Sequence, residues 1–152
     1  NLISKKIRGF RDILPKESKK FLHIEKIVHC VAPLFNTHQV RLPALESVDL
    51  FKRSIGETSD IVTKEMYSFE DRNNDTLCMI PEGTASCVRL ALENNLIYDR
   101  GVKKQRLYYI APMFRHERPQ KGRYRQFTQF GVEFFGDSST RDDINLLLSF
   151  SI

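Results

Sequence analysis

The chain has 152 residues, of which 41% are apolar and 28% charged. That is enough for one compact domain with a sizeable core, and it excludes a disordered chain. A formal charge of +5 and a pI near 9.2 favour a polyanionic partner such as nucleic acid or a nucleotide. Cys30, Cys78 and Cys87 are odd in number and form no C-x-x-C pair, so they read as free thiols in a reducing compartment. No apolar run approaches the roughly 20 residues of a membrane helix, and no signal-peptide block opens the chain; the expected location is the cytosol. A start at Asn1 without Met and a stop at "LLLSFSI" point to a piece of a longer polypeptide.

Between residues 17 and 37, Phe21, Ile24, Val28, Val31 and Phe35 recur every three to four positions, which predicts a helix with one face toward a core. Pro33 lacks an amide donor and predicts a kink or an end near Ala32. "QVRLPALE" predicts a short, edge-type extended segment interrupted at Pro43. A helix over Val48–Ile55 follows. "MYSFE" and "TLCMI" flank the turn-rich "DRNND" and predict a hairpin. A helix beginning near "PEGT" is expected to run until Asn94 and Asn95.

"RLYYIAPMFRHE", residues 106–117, and "FTQFGVEFFG", residues 127–136, read as strands joined by the nine-residue "RPQKGRYRQ". That loop is longer than the common hairpin turns, and loops of this length are more often functional. Asp142 and Asp143 stand where acids favour the start of a last helix.

Three places carry candidate chemistry. Arg115, Arg118, Lys121, Arg123 and Arg125 lie within eleven residues, opposed only by Glu117. They suit a polyanion, because arginine grips phosphate with parallel donors; a solvated cationic loop has the same composition. Alternation along the last strand puts Phe127, Gln129, Gly131, Glu133 and Phe135 on one face. An amide, a carboxylate and a gap at Gly131 make up either a polar pocket or a solvated face. Thr128, Phe130, Val132 and Phe134, on the other face, are expected to be core. In "PEGT", Glu82 and Thr84 could receive a substrate ammonium group, or Thr84 could cap the helix.

Other chemistries lack their motifs. There is no G-x-x-x-x-G-K-[ST] or G-x-G-x-x-G loop for phosphates. His23, His29, His38 and His116 have no metal-ligand spacing. No serine or cysteine has the setting of a nucleophile.

"MFRHERPQKGRYRQFTQFGVEFFG" with "PEGT" upstream closely resembles motif 2 of the histidyl-tRNA synthetases, a class II aminoacyl-tRNA synthetase family. "IRGFRDILPKES" resembles the family's opening and "FNTHQVRLPALE" its motif 1, so the likeness covers essentially the whole chain. It implies an α+β fold, a class II antiparallel sheet flanked by helices, here a single domain of residues 1–152 cut short on its C-terminal side. It also implies ATP, Mg2+, L-histidine and tRNA(His) as reactants and partners, and a homodimer.

By the same resemblance Arg115 is the catalytic arginine. Glu82, Gly83, Thr84, Arg115, Gln129 and Glu133 would hold histidine. Arg115, Glu117, Arg123 and Phe127 would hold ATP, and Arg118, Gln120 and Lys121 would meet tRNA. Two positions depart from the family pattern: Ile80 stands before "PEGT", where arginine is usual, and Thr128 replaces His or Tyr. The glycine-rich motif 3, the second histidine signature and the anticodon-binding domain do not occur in these residues, so the fragment alone is expected to have little activity. Two competing readings are a non-catalytic regulatory paralogue of histidine biosynthesis and a bare RNA-binding module.

Overall fold

The computed structural model describes residues 4–97 and 104–136. In chain order they form α1 (Pro15–Val31), a 3-10 turn (Ala32–Phe35), β1 (His38–Gln39), β2 (Leu45–Ser47), α2 (Val48–Ile55) and a π-helical turn (Ile61–Glu65). Then come β3 (Ser68–Glu70), β4 (Thr76–Met79), α3 (Thr84–Glu93), β5 (Lys104–Phe114) and β6 (Gln126–Gly136). The helix expected from Asp142 and Asp143 lies outside the described residues. Contacts gather the chain into two compact units, one of residues 4–12, 42–86 and 111–129, the other of residues 13–41, 87–97, 104–110 and 130–136.

The first unit is built on the antiparallel sheet β2-β4-β3. Its hairpin turn is closed by Asp71, whose Oδ1 accepts the amides of Asn73 at 2.7 Å and Asp75 at 3.0 Å. Asn74 takes the left-handed conformation there, φ 64°, which asparagine tolerates. α2 starts at Ser47, whose hydroxyl accepts the Asp49 amide at 3.3 Å.

Past β4 the ladder goes on. Ile80 donates its amide to Ala44 at 3.1 Å, and its carbonyl accepts from Phe114 at 2.9 Å. The side chain of Ile80 is fully buried, as are Phe51, Cys78 and Met113. Burying one such large apolar group contributes roughly 1.5–3 kcal/mol. The departure at residue 80 therefore supplies core to this unit.

In the second unit Pro15 occupies the first turn of α1, where an amide would have no helical partner. The helix stops at Val31, and Pro33 is the second residue of the tighter turn, which ends on a left-handed Asn36. Val28 and Ala32 pack against Tyr108, with Ile110 and Val132 around them. Ile24, on the same predicted stripe, is 59% exposed, so the expected core face of the helix is buried at its C-terminal end.

The sheet order is β1-β5-β6. β1 pairs with β5 in parallel, His38 opposite Leu107, a two-residue addition to a fold whose β2-β4-β3 sheet is antiparallel as expected. β1 and β5 are far apart in sequence with helices between them, and such crossovers permit parallel alignment. "QVRLPALE" is thus divided: its beginning joins β5, its end joins β4, and Pro43, with no amide to pair, lies between.

Candidate active site

β5 ends at Phe114, not at Glu117 as the sequence suggests. The Arg115 amide still donates to the Arg125 carbonyl at 2.9 Å, which closes the base of a loop over residues 115–125. At the tip, Gln120 and Arg123 exchange backbone hydrogen bonds at 3.3 and 2.9 Å. The connector is a pinched finger with Lys121 and Gly122 at its turn. Arg118, Gln120 and Lys121 are exposed on it, and among the described residues neither Arg118 nor Lys121 has an ion-pair partner.

Arg115 is fixed from three sides. Its Nε donates to the Pro81 carbonyl at 2.8 Å, its Nη1 lies 4.0 Å from Glu117 Oε1, and its Cζ stands 5.4 Å from the centre of the Phe127 ring. That last distance is within cation–π reach. Glu117 also accepts a hydrogen bond from Arg123 Nε. This bond, and the carboxylate's charge, push the Arg123 pKa further up from its ordinary value.

The Glu117 side chain is 10% exposed, against 25% for Arg115 and 53% for Arg123. One shielded carboxylate thus orients two guanidinium groups, and the trio keeps one net positive charge. Among the described residues the Nη2 donors of Arg115 make no hydrogen bond, so an incoming anion has two N–H groups to meet.

Beside Pro81, both carboxylate oxygens of Glu82 turn onto the start of α3. The Thr84 amide donates to Oε2 at 2.6 Å and the Ala85 amide to Oε1 at 3.0 Å. The capping expected of Thr84 therefore falls to Glu82, and Thr84 is the first residue inside the helix. Gly83 between them is buried and Thr84 is exposed. Two of the roughly four acceptor positions of the carboxylate are used, which leaves capacity for a ligand. Phe127 and Gln129, on one face of β6, are half-buried in the same unit.

Glu133 belongs to the other unit. There Tyr109, 1% exposed, donates its hydroxyl hydrogen to Glu133 Oε1 at 3.3 Å. A Cβ added at Gly131 would lie 2.1 Å from Tyr109 Cζ. The gap that the sequence offers at Gly131 as ligand space is filled by this ring, and position 131 must be glycine for the ring to lie there. Tyr109 is the residue that sequence reasoning missed. Its signal was available only as a bulky residue in one strand facing a glycine in the next.

The face assigned to the core also needs correction. Val132 is packed, but Thr128 is exposed and Phe130 is 37% exposed beside the Tyr108 ring. The helix side of this unit covers one end of that face.

Cys87 is fully buried. Burial, and secondarily the charge of Glu133, push its thiol up to about 12; burial does the same to Cys78. A raised thiol pKa keeps the neutral, unreactive form. At pH 8 a thiol-specific alkylating reagent is expected to label Cys30, which is exposed, while Cys78 and Cys87 stay unlabelled until the protein is denatured. Peptide mass mapping reads this directly, and rapid labelling of Cys87 in the native protein would contradict the buried placement.

Residues 9–150 match the family model for histidyl-tRNA synthetase. A histidine–tRNA ligase of Marinomonas sp. (strain MWYL1) is 53% identical over 142 residues, which is 93% of this chain and 33% of that protein. The apo crystal structure of Staphylococcus aureus histidyl-tRNA synthetase superposes with a TM-score of 0.81 at 35% identity, covering 98% of this chain and 33% of the other. A Bacillus halodurans protein described as an ATP phosphoribosyltransferase regulatory subunit/histidyl-tRNA synthetase shares the fold at a TM-score of 0.80 and 23% identity, covering 99% of this chain and 37% of its own. The chain spans about a third of the length of the relatives it matches. Matched over nearly all its residues and folded as these proteins are, the chain belongs to the histidyl-tRNA synthetase family.

Proposed function

We propose that these residues supply the motif 1 and motif 2 part of an active site that condenses L-histidine with ATP to histidyl-adenylate, releases pyrophosphate, and passes the histidyl group to the 3′ end of tRNA(His). The observation that carries this reading is the setting of Arg115: oriented by Pro81, Glu117 and Phe127, with its Nη2 donors still available. The attacking carboxylate and the α-phosphate are both anions. A guanidinium bridging them offsets their repulsion and stabilises the charge that grows on the phosphate.

In this reading Arg123 and Glu117 help hold ATP, Glu117 by orienting the guanidinium groups, and Phe127 stacks on adenine. Glu82, Gly83 and Thr84 take the ammonium group of histidine, and Gln129 and Glu133 line its side-chain pocket. Glu133 accepts an imidazole N–H, and an unpaired acceptor there penalises apolar amino acids more than shape alone does. Arg118, Gln120 and Lys121 meet the tRNA acceptor end, where cations neutralise backbone phosphates. Mg2+ would enter with the triphosphate of ATP, as it usually does where phosphates supply its oxygen ligands. The full-length protein would be a cytoplasmic homodimer, and the 152 residues alone would show little activity, as contacts from the remaining two thirds are needed in the transition state.

The test is ATP–pyrophosphate exchange by the full-length protein. Exchange that depends on histidine is the expected result. Histidine binding by calorimetry without exchange would favour a regulatory paralogue, and salt-sensitive RNA binding that ignores histidine would favour an RNA-binding module.

A further inference from the structure

Arg125 was grouped by charge with the phosphate-gripping arginines, yet its guanidinium is spent on backbone. Its Nε donates to the Glu117 carbonyl at 3.1 Å and its Nη1 to the Arg8 carbonyl at 3.2 Å. Its own amide donates to the Gly9 carbonyl at 2.8 Å, and its carbonyl accepts the Arg115 amide at 2.9 Å. The aliphatic stem lies on Gly9, where an added Cβ would come within 2.6 Å of Arg125 Cδ. Gly9 has φ +86°, a backbone that other residues adopt only with strain.

Two further contacts tie the same N-terminal stretch to the loop. Arg11 Cζ stands 4.3 Å from the centre of the Tyr124 ring. Phe10 meets the Tyr67 ring edge-on at 6.3 Å, and Tyr67 in turn meets His116 at 5.5 Å. The stretch from Arg8 to Arg11 thus touches one leg of the loop at Tyr124 and Arg125 and reaches the other through Tyr67. Carbonyls are satisfied by water at no cost in a free segment, so a cation that collects two of them from separate strands of chain acts as a fastener.

We infer that residues 8–11, fastened by Arg125, are a positioning clamp for the arginine loop: they hold the Glu117 backbone so that its carboxylate orients Arg115 and Arg123 toward ATP. The clamp's catalytic consequence rests on the function proposed above; the clamp itself rests on the contacts. Arg125 acts through Glu117 and is a positioning residue, whereas Arg115 is the group expected to touch substrate.

The experiment uses the full-length ligase with Arg125→Ala, Arg125→Lys, Gly9→Ala and Arg11→Ala. Without substrates, trypsin cleavage after Lys121 is expected to accelerate at least tenfold in Arg125→Ala and Gly9→Ala. The Arg11→Ala effect should be smaller, and Arg125→Lys should recover part of the protection by keeping one carbonyl contact.

In pyrophosphate exchange, Arg125→Ala should raise KM for ATP by about tenfold and leave KM for histidine within twofold. A double variant with Glu117→Gln should be no worse than the poorer single one, as expected of residues acting through one chain of contacts. Unchanged loop cleavage in both Arg125→Ala and Gly9→Ala overturns the clamp. So does an equal rise of both KM values, or a strictly additive double variant, since either marks a general loss of structure. A wild-type protein without histidine-dependent exchange would overturn the proposed function while the cleavage result still decided the clamp. Should Arg125→Ala fail to fold, Gly9→Ala and Arg11→Ala give the same two readouts.

Discussion

Replacing Arg115 by alanine in the full-length protein is expected to slow the proposed histidine-dependent pyrophosphate exchange by about 10² to 10³-fold, the usual cost of removing one oriented donor from charge that develops in the transition state. The guanidinium is held in place by Pro81 and Glu117, so the proposed attack of a carboxylate on the α-phosphate needs little reorganisation there. Most of the loss should fall on kcat, because the developing charge, and not the bound ground state, gains most from the two donors. Arg115→Lys should restore little, as an ammonium is a point charge without the planar fork. The protein's stability should fall by only about 0.5–1.5 kcal/mol for the lost hydrogen bond, which a urea midpoint separates from the kinetic effect. A rate within fivefold of wild type would remove Arg115 from its assigned role.

Gly131→Ala is expected to cost about 1–3 kcal/mol of stability and to weaken histidine binding. A methyl group 2.1 Å from Tyr109 Cζ cannot coexist with the ring, and interiors answer overpacking by strain of that size. Tyr109 is 1% exposed, so it has no vacant rotamer into which to retreat without opening the core. Any retreat breaks its hydrogen bond to Glu133, which loosens the carboxylate proposed to read imidazole. The denaturation midpoint and calorimetric affinity for histidine are the measurements. In a Tyr109→Ala background the same substitution should cost almost nothing further, because the overlap is gone. Equal costs in both backgrounds would show that the ring is not what position 131 must avoid.

These two positions show what a sequence yields and what it withholds. Strand alternation was enough to put Gly131 and Glu133 on one face, since the period of two is a property of the backbone. It could not say that a tyrosine from the neighbouring strand fills the glycine's space, because cross-strand partners depend on register. Arg125 failed in the same way: charge alone groups it with Arg115 and Arg123, and only the fold shows two carbonyls, from Arg8 and Glu117, converging on it.

Local signals did better. The helix Val48–Ile55 has the bounds expected of it, and the structure supplies the reason: Ser47 caps it and Gly56 ends it. The stop near Ala32 followed from the missing amide of Pro33. Ile24 misled, since periodicity marks a face as apolar but not how far along the helix that face is covered.

The pH behaviour of the thiols follows the same logic in energetic terms. Cys78 and Cys87 titrate near 12 in the folded chain, above the ordinary thiol value of about 8.5. The folded state therefore holds its thiol protons where the unfolded chain would release them. Their contribution to stability is full below the ordinary thiol pKa and is lost as pH rises from there toward 12. Alkaline conditions should weaken the protein by this route.

The most direct measurement is a structure of the full-length protein with histidine and a non-hydrolysable ATP analogue bound. The Arg115 guanidinium is expected at hydrogen-bond distance, about 3 Å, from both the histidine carboxylate and the α-phosphate, with Glu133 accepting from the imidazole ring. Ligands bound elsewhere, with the Arg115 guanidinium contacting only Pro81, Glu117 and Phe127 as it does without them, would contradict that role.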